Sequence, residues 1–136
     1  MPGGNCARNG GPCGGRGLGR LYRFAEPLIL LSLCRRGRAY GYELLDEVNQ
    51  TSLSDQEASI DTGVLYRTLR ALEAAGLVVS DWDTGGSGAA RRFYELTDAG
   101  VEHLALWTEH LERISDAMAA TAARARSVLA ERGAPA

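Results

Sequence analysis

The side chains of this sequence that could do chemistry are arginines able to grip an anion, cysteine thiols, two imidazoles and the indole of Trp107. The arginines carry the strongest signal. Arg67 and Arg70 stand beside Gly63 and Tyr66 in the segment Asp61–Gly76, and Arg91-Arg92 form an adjacent pair further on. A guanidinium is a planar fork of donors matched to phosphate oxygens and to the edge of guanine, so the chemistry on offer is anion recognition. Taken alone, two helix arginines are better read as a solvated face, and it is the surrounding blocks that turn the reading to DNA contact.

The remaining groups offer less. Cys6 and Cys13 sit in a glycine-rich stretch near arginines, where positive charge favours thiolate, so they are candidate thiol sensors or metal ligands; their spacing matches no zinc signature. Cys34, inside an apolar run, reads as a small buried hydrophobe. His103 and His110 share one side of a helix near Glu102 and Glu109 without a third ligand, so a solvated face is the better reading and no metal site is expected. There is no nucleophile with a base, no carboxylate dyad and no phosphate loop, since the glycine-rich start lacks the strand and lysine of one. Neither an enzyme nor a cofactor is expected.

The arginines need elements to position them. Asp61 is a good N-cap and Gly76 a good stop, predicting a helix of about four turns between them. At 100° per residue Leu65, Leu69 and Leu72 fall within roughly 60°, which is the buried face. Tyr66, Arg70, Gly63 and Arg67 then lie between roughly 100° and 200°, towards solvent, with Tyr66 half structural, packing its ring and offering its hydroxyl to phosphate. Upstream, Leu21 to Cys34 reads as a helix entered at Glu26-Pro27, apolar nearly all round and stopped by Gly37. Gly41 to Asn49 reads as a short helix with Leu44, Leu45 and Val48 on one face, followed by a polar connection over 51–59.

Downstream, Leu77 to Asp83 and Arg91 to Leu96 are β-rich runs joined by a glycine-rich turn, which predicts a hairpin with Arg91-Arg92 at the base of its returning strand. Strand alternation sends these two arginines to opposite faces, so at most one meets a duplex backbone squarely. Thr97-Asp98-Ala99-Gly100 opens a helix reaching to about Glu131. Leu104, Trp107, Leu111, Ile114, Met118, Thr121, Ala125 and Val128 step by alternating threes and fours along it, a heptad seam. A stripe this long implies a partner helix. Trp107 on that seam is first a core residue and second a candidate contact for an aromatic effector.

Length and charge fit this reading. With 136 residues, 45% of them hydrophobic and 24% charged, the chain has the size and make-up of one soluble domain. The formal net charge of −2 hides a polarised distribution: residues 1–40 carry seven arginines against one acid, and the rest carry eight arginines against sixteen acids. What a duplex feels is the field of one face, so the near-neutral total does not exclude nucleic acid. The apolar run 27–34 is too short for a signal peptide and is followed by Arg35-Arg36, no stretch approaches the roughly 20 apolar residues of a membrane span, and three cysteines cannot all pair within one chain. A cytoplasmic protein without membrane contact is expected.

The order of helix, helix, capped helix with an outward Arg/Tyr face and glycine-tipped hairpin describes a winged helix-turn-helix. Four blocks carry a more specific resemblance: Gly41-Tyr42-Glu43-Leu44, Gly63-Val64-Leu65-Tyr66, Leu69 to Val78, and Arg91 to Gly100. In this order, over residues 24 to 110, they resemble the PadR family of bacterial transcriptional regulators, in the short form with a single C-terminal dimerisation helix. The resemblance implies a homodimeric DNA-binding repressor, usually of detoxification or efflux genes. It also implies that a flat hydrophobic ligand could enter between the last helices, with Trp107 the first residue to test. Two positions depart from the family pattern: Arg67 replaces a common proline, and Tyr40 stands where histidine is frequent.

The expected protein is therefore mainly α with a small β-hairpin. It has an arm at 1–20, a winged helix-turn-helix at 21–97, a dimerisation helix at 98–131 and a tail at 132–136. The expected DNA-contacting residues are Tyr42, Thr62, Gly63, Val64, Tyr66, Arg67, Arg70, Arg91 and Arg92; Leu104, Trp107, Leu111, Ile114 and Met118 form the dimer seam. Arg16, Arg20 and Arg23 either follow a groove or merely solubilise the terminus. The alternatives are a regulator responding through Cys6 and Cys13 to thiol chemistry or metal, and a winged-helix interaction module that has lost DNA binding.

Overall fold

The computed structural model describes residues 24–51, 60–85 and 88–133. Its elements run α1 (Ala25–Arg36), β1 (Ala39–Tyr40), α2 (Gly41–Val48), α3 (Thr62–Ala74), β2 (Val78–Asp83), β3 (Arg91–Leu96) and α4 (Asp98–Glu131). This is a winged helix-turn-helix followed by one long helix. Two compact units result, one ending at His103 and the other beginning at Leu104. Cys6, Cys13, Arg16, Arg20 and Arg23 lie outside the described residues, as does the connection over 52–59.

In the first unit, Ile29, Leu30 and Leu33 of α1, Leu44 and Val48 of α2, and Leu65, Leu69 and Leu72 of α3 form the core with Val78 and Tyr94 of the hairpin. Helix α1 extends past Cys34, because Arg35 and Arg36 favour the negative end of the helix dipole and both reach Glu47 of α2. It ends where Gly37 turns to φ 86°. Cys34 is exposed, contrary to its expected place in the core: it shares the outer side of α1 with Leu31, while Leu30 and Leu33 take the inner one.

Glu47 accepts from Arg35 Nε at 2.9 Å and from Arg36 Nε at 2.8 Å. Its carboxyl is held below the usual carboxylate range, chiefly by the Arg35 hydrogen bond, with burial opposing and Arg36 assisting. A lowered folded pKa contributes stability above the unfolded value of about 4.3 and loses it as pH falls through the folded one. The gap in melting temperature between the wild type and Glu47→Gln is therefore expected to hold from pH 7 to 5 and to shrink as pH falls below the unfolded value of about 4.3. A gap that does not change with pH would refute this linkage.

A polar clasp sets α2 against α3. Asn49 Nδ2 donates to the Ile60 carbonyl at 3.0 Å, and the Ile60 amide donates to Asn49 Oδ1 at 2.9 Å. Asp61 then caps α3, its Oδ1 accepting from the Val64 amide at 2.8 Å, and Gly76 ends the turn after the helix at φ 79°.

The sheet is antiparallel in the order β1-β3-β2. The hairpin runs from Val78↔Leu96 to Asp83↔Arg91, as its sequence predicts. The two-residue strand β1, which pairs Ala39 with Tyr94 and Tyr40 with Phe93, was not expected; two residues leave no period to detect.

Thr97 starts α4: its hydroxyl donates to the Gly76 carbonyl at 2.7 Å and accepts from the Gly100 amide at 3.0 Å. A Cβ on Gly100 would overlap the Leu77 carbonyl oxygen, so helix and hairpin approach backbone to backbone there. His103 is not merely solvated; its Nε2 lies 2.6 Å from Glu26 Oε2 of α1. In the second unit Leu104, Trp107, Leu111 and Ile114 are half-buried, Met118 is 59% exposed, and Trp107 meets His110 edge-on.

Candidate nucleic-acid interface

The outward face of α3 comprises exposed Thr62, Gly63, Arg67, Arg70 and Ala74. Its position follows from burial of the opposite face, where Leu65, Leu69 and Leu72 leave those residues no other direction. Val64, expected among the contacts, belongs to the core at 6% exposure, so its side chain is not part of the outward face. It lies one residue before Leu65, on the margin of the buried stripe, and the fold extends over that margin.

Tyr66 is half-buried, and its hydroxyl rests on Gly41 so closely that a Cβ there would collide with it and lie 2.7 Å from the ring's Cζ. Its role is thus in large part to lock α3 onto the start of α2, as the Gly41-Tyr42 block allows. Gly63 is different. A Cβ there would meet only side-chain ends, Arg67 Nη1 and Asp61 Oδ1 at 3.3 Å, so nothing in the backbone of the fold demands glycine.

The hairpin divides its arginines between two faces. Arg91 stands with Tyr40 and Tyr42 on the outer face: its guanidinium lies 4.3 Å from the Tyr40 ring centroid and 5.9 Å from that of Tyr42, and the two rings stack at 6.0 Å. Tyr42 is 57% exposed there, and Arg38 covers Phe93 at 3.5 Å. Tyr40 also donates to Asp83, which raises the tyrosine's pKa and, with the Gly85 amide, lowers that of the carboxyl.

Arg92 faces α3. Its Nε donates to Ser80 Oγ at 3.0 Å, Ser80 Oγ donates to Glu73 Oε2 at 2.8 Å, and Arg92 Nη2 lies 4.0 Å from Glu73 Oε1. The guanidinium also stands 5.4 Å from the Trp82 ring centroid, and Trp82 is 53% exposed. Between α3 and the hairpin opens a cleft of about 690 Å³ lined by Tyr66, Arg70, Glu73, Ala74, Trp82, Arg92 and Tyr94. Burial pushes the Tyr94 phenol up, so it is neutral there.

Sequence reasoning named Arg70 and Arg92 among the DNA contacts but missed Trp82 and Glu73. The signal was available for both: Trp82 shares the strand face of Ser80 by alternation, and Glu73 lies about one turn beyond Arg70. Among the described residues no group of three or more metal-ligating side chains occurs, and no helix is long and apolar enough to cross a membrane.

The family model described as the transcriptional regulator PadR-like family matches residues 29–106, more than half of the chain. A PadR family transcriptional regulator from Eggerthella lenta DSM 2243 is 34% identical, with 74% of this chain and 84% of that one covered and a TM-score of 0.56. A PadR family transcription regulator from Clostridium difficile R20291 shares the fold at 24% identity and a TM-score of 0.60, covering 72% of this chain and 97% of its own. Bacillus subtilis PadR, solved in complex with operator DNA, is 26% identical with a TM-score of 0.54; the match covers 63% of this chain and 47% of that one. No curated protein matches the chain.

Proposed function

The chain belongs to the PadR-like family of transcriptional regulators, and on that premise we propose that it is a cytoplasmic homodimeric repressor that binds a pseudo-palindromic operator. Its action is binding, not catalysis. The observation that carries this reading is the exposure of Thr62, Gly63, Arg67 and Arg70 on one face of α3, with Arg92 across the adjoining cleft. A capped helix presented this way offers guanidiniums to base edges and phosphates in the major groove, while hairpin arginines neutralise flanking backbone. Tyr42 of α2, with Arg91 beside it on the other face of the hairpin, would reach the backbone less squarely than Arg92.

Dimerisation is assigned to Leu104, Trp107, Leu111, Ile114 and Met118, and a small hydrophobic or aromatic effector would bind beside Trp107. Two copies of α3 related by a two-fold axis would read half-sites about one helical turn apart. Specificity is tested by anisotropy titration of the chain's own upstream DNA against a shuffled duplex of equal length. The upstream fragment is expected to bind at least ~1000-fold more tightly at physiological salt. Equal affinities would overturn the operator reading, and no binding even at roughly 50 mM salt would favour an interaction module instead.

Gly63 gives a test in which stability and affinity move oppositely. Gly63→Ala is expected to leave the melting temperature unchanged or raise it, since alanine is favoured over glycine in a helix by up to about 1 kcal/mol. DNA affinity is expected to fall about tenfold, because the methyl group lies where backbone must approach phosphate or base, a loss near 1.4 kcal/mol. Unchanged affinity would show that no DNA atom comes close to Gly63.

A further inference from the structure

We propose that the cleft between α3 and the hairpin seats one backbone phosphate of the bound duplex, that Arg92 is the guanidinium that takes it, and that Glu73 is the positioning residue that holds Arg92 there. This rests on the DNA-binding reading above and adds a site and a residue to it. Where a helix occupies the major groove and a hairpin reaches the adjacent groove, the sugar-phosphate ridge separating the two grooves has to pass between them. The cleft is that passage. Arg70 lines it from the helix and Arg92 from the strand, and Trp82 forms the hairpin wall.

An arginine on a two-stranded wing loses considerable side-chain entropy when it is fixed on a phosphate. Here it is fixed beforehand. Arg92 is engaged through Nε alone by Ser80 Oγ, and Ser80 is engaged in turn by Glu73 Oε2. The Trp82 ring restricts the guanidinium from the side. The Nη2 to Glu73 Oε1 distance of 4.0 Å is an ion pair without a hydrogen bond, so both Nη groups keep donors for an oxyanion. An acid on a DNA-facing surface would ordinarily repel phosphate, and its value here lies in pre-organisation.

This arrangement makes the sign of one substitution diagnostic. If Glu73 acted only through its charge, Glu73→Ala would tighten DNA binding and steepen the salt dependence. We expect the reverse: affinity for the upstream duplex falls three- to tenfold, and the slope of log K against log salt becomes shallower by up to about 0.9, the share of one phosphate. Ser80→Ala cuts the relay without altering charge and is expected to weaken binding in the same direction.

Arg92→Ala is expected to cost at least as much as either, and adding Glu73→Ala to it is expected to cost nothing further, since two residues acting through one contact are not additive. All four variants are compared with the wild type by anisotropy titration at several salt concentrations, with melting temperatures and dimer mass measured alongside. Tighter binding by Glu73→Ala, or full additivity of Glu73→Ala with Arg92→Ala, would overturn the positioning role while leaving the DNA-binding reading intact. Failure of the wild type itself to bind would remove both.

Discussion

Arg70→Ala is expected to weaken binding to the upstream DNA by about 10- to 100-fold, corresponding to roughly 1–3 kcal/mol for a lost guanidinium contact. Arg70 is exposed on the outward face of α3 and also lines the cleft, so of the two helix arginines it is the one that borders both surfaces. Removing it leaves the buried face of Leu65, Leu69 and Leu72 untouched. Melting temperature and dimer mass are therefore expected to stay as in the wild type. A loss spread evenly over operator variants, with a salt slope shallower by about 0.9, identifies a phosphate contact; a loss erased by changing one base pair identifies a base-edge contact. Unchanged affinity together with an unchanged slope would remove Arg70 from the interface.

The other large effect concerns assembly. Leu111→Asp places a carboxylate in the middle of the seam proposed for Leu104, Trp107, Leu111, Ile114 and Met118. An unpaired charge buried between two helices costs several kcal/mol, so light scattering is expected to report one chain of 14.5 kDa in place of two. Leu111 lies outside the unit that ends at His103, so the winged helix is expected to keep its fold by circular dichroism. DNA affinity is expected to drop by on the order of 100-fold or more, because the second half-site no longer benefits from the effective concentration supplied by the first. An unaltered mass would refute the seam.

Much of this architecture was legible because its signals are periodic or terminal. Asp61 and Gly76 bracketed α3, the leucine spacing oriented it, and the glycine-rich turn with flanking β-branched and aromatic residues gave the hairpin. What escaped was information carried by tertiary neighbours. Strand β1 is too short to show alternation and exists because Ala39 and Tyr40 find an open edge on β3. Val64 looked like part of a recognition block, but it sits at the margin of the buried stripe and the fold closes over it. Cys34 looked buried by its apolar neighbours, although the helix turns it to the outside.

The same limit applied within the site. Alternation separated Arg91 from Arg92 but could not say which one faces α3; Glu73 and Ser80, reached only through folding, settle that in favour of Arg92. Tyr66 is half-buried, in keeping with its half-structural reading, and its hydroxyl lies against Gly41 of α2, a neighbour that its helix position alone does not reveal. Alternation and helix periodicity marked the faces of Trp82 and Glu73, but their meeting around Arg92 is a contact between elements distant in sequence and emerged only once the strand was laid against the helix.

Hydroxyl-radical and dimethyl-sulfate footprinting of the full chain on its own upstream DNA, with unrelated DNA in excess, addresses the central claim most directly. Two α3 helices inserted by a two-fold dimer predict two protected major-groove patches about one helical turn, roughly 34 Å, apart, with backbone protection flanking each. A single protected patch would contradict the dimer, and uniform cleavage at a concentration that binds the fragment would contradict the recognition surface itself.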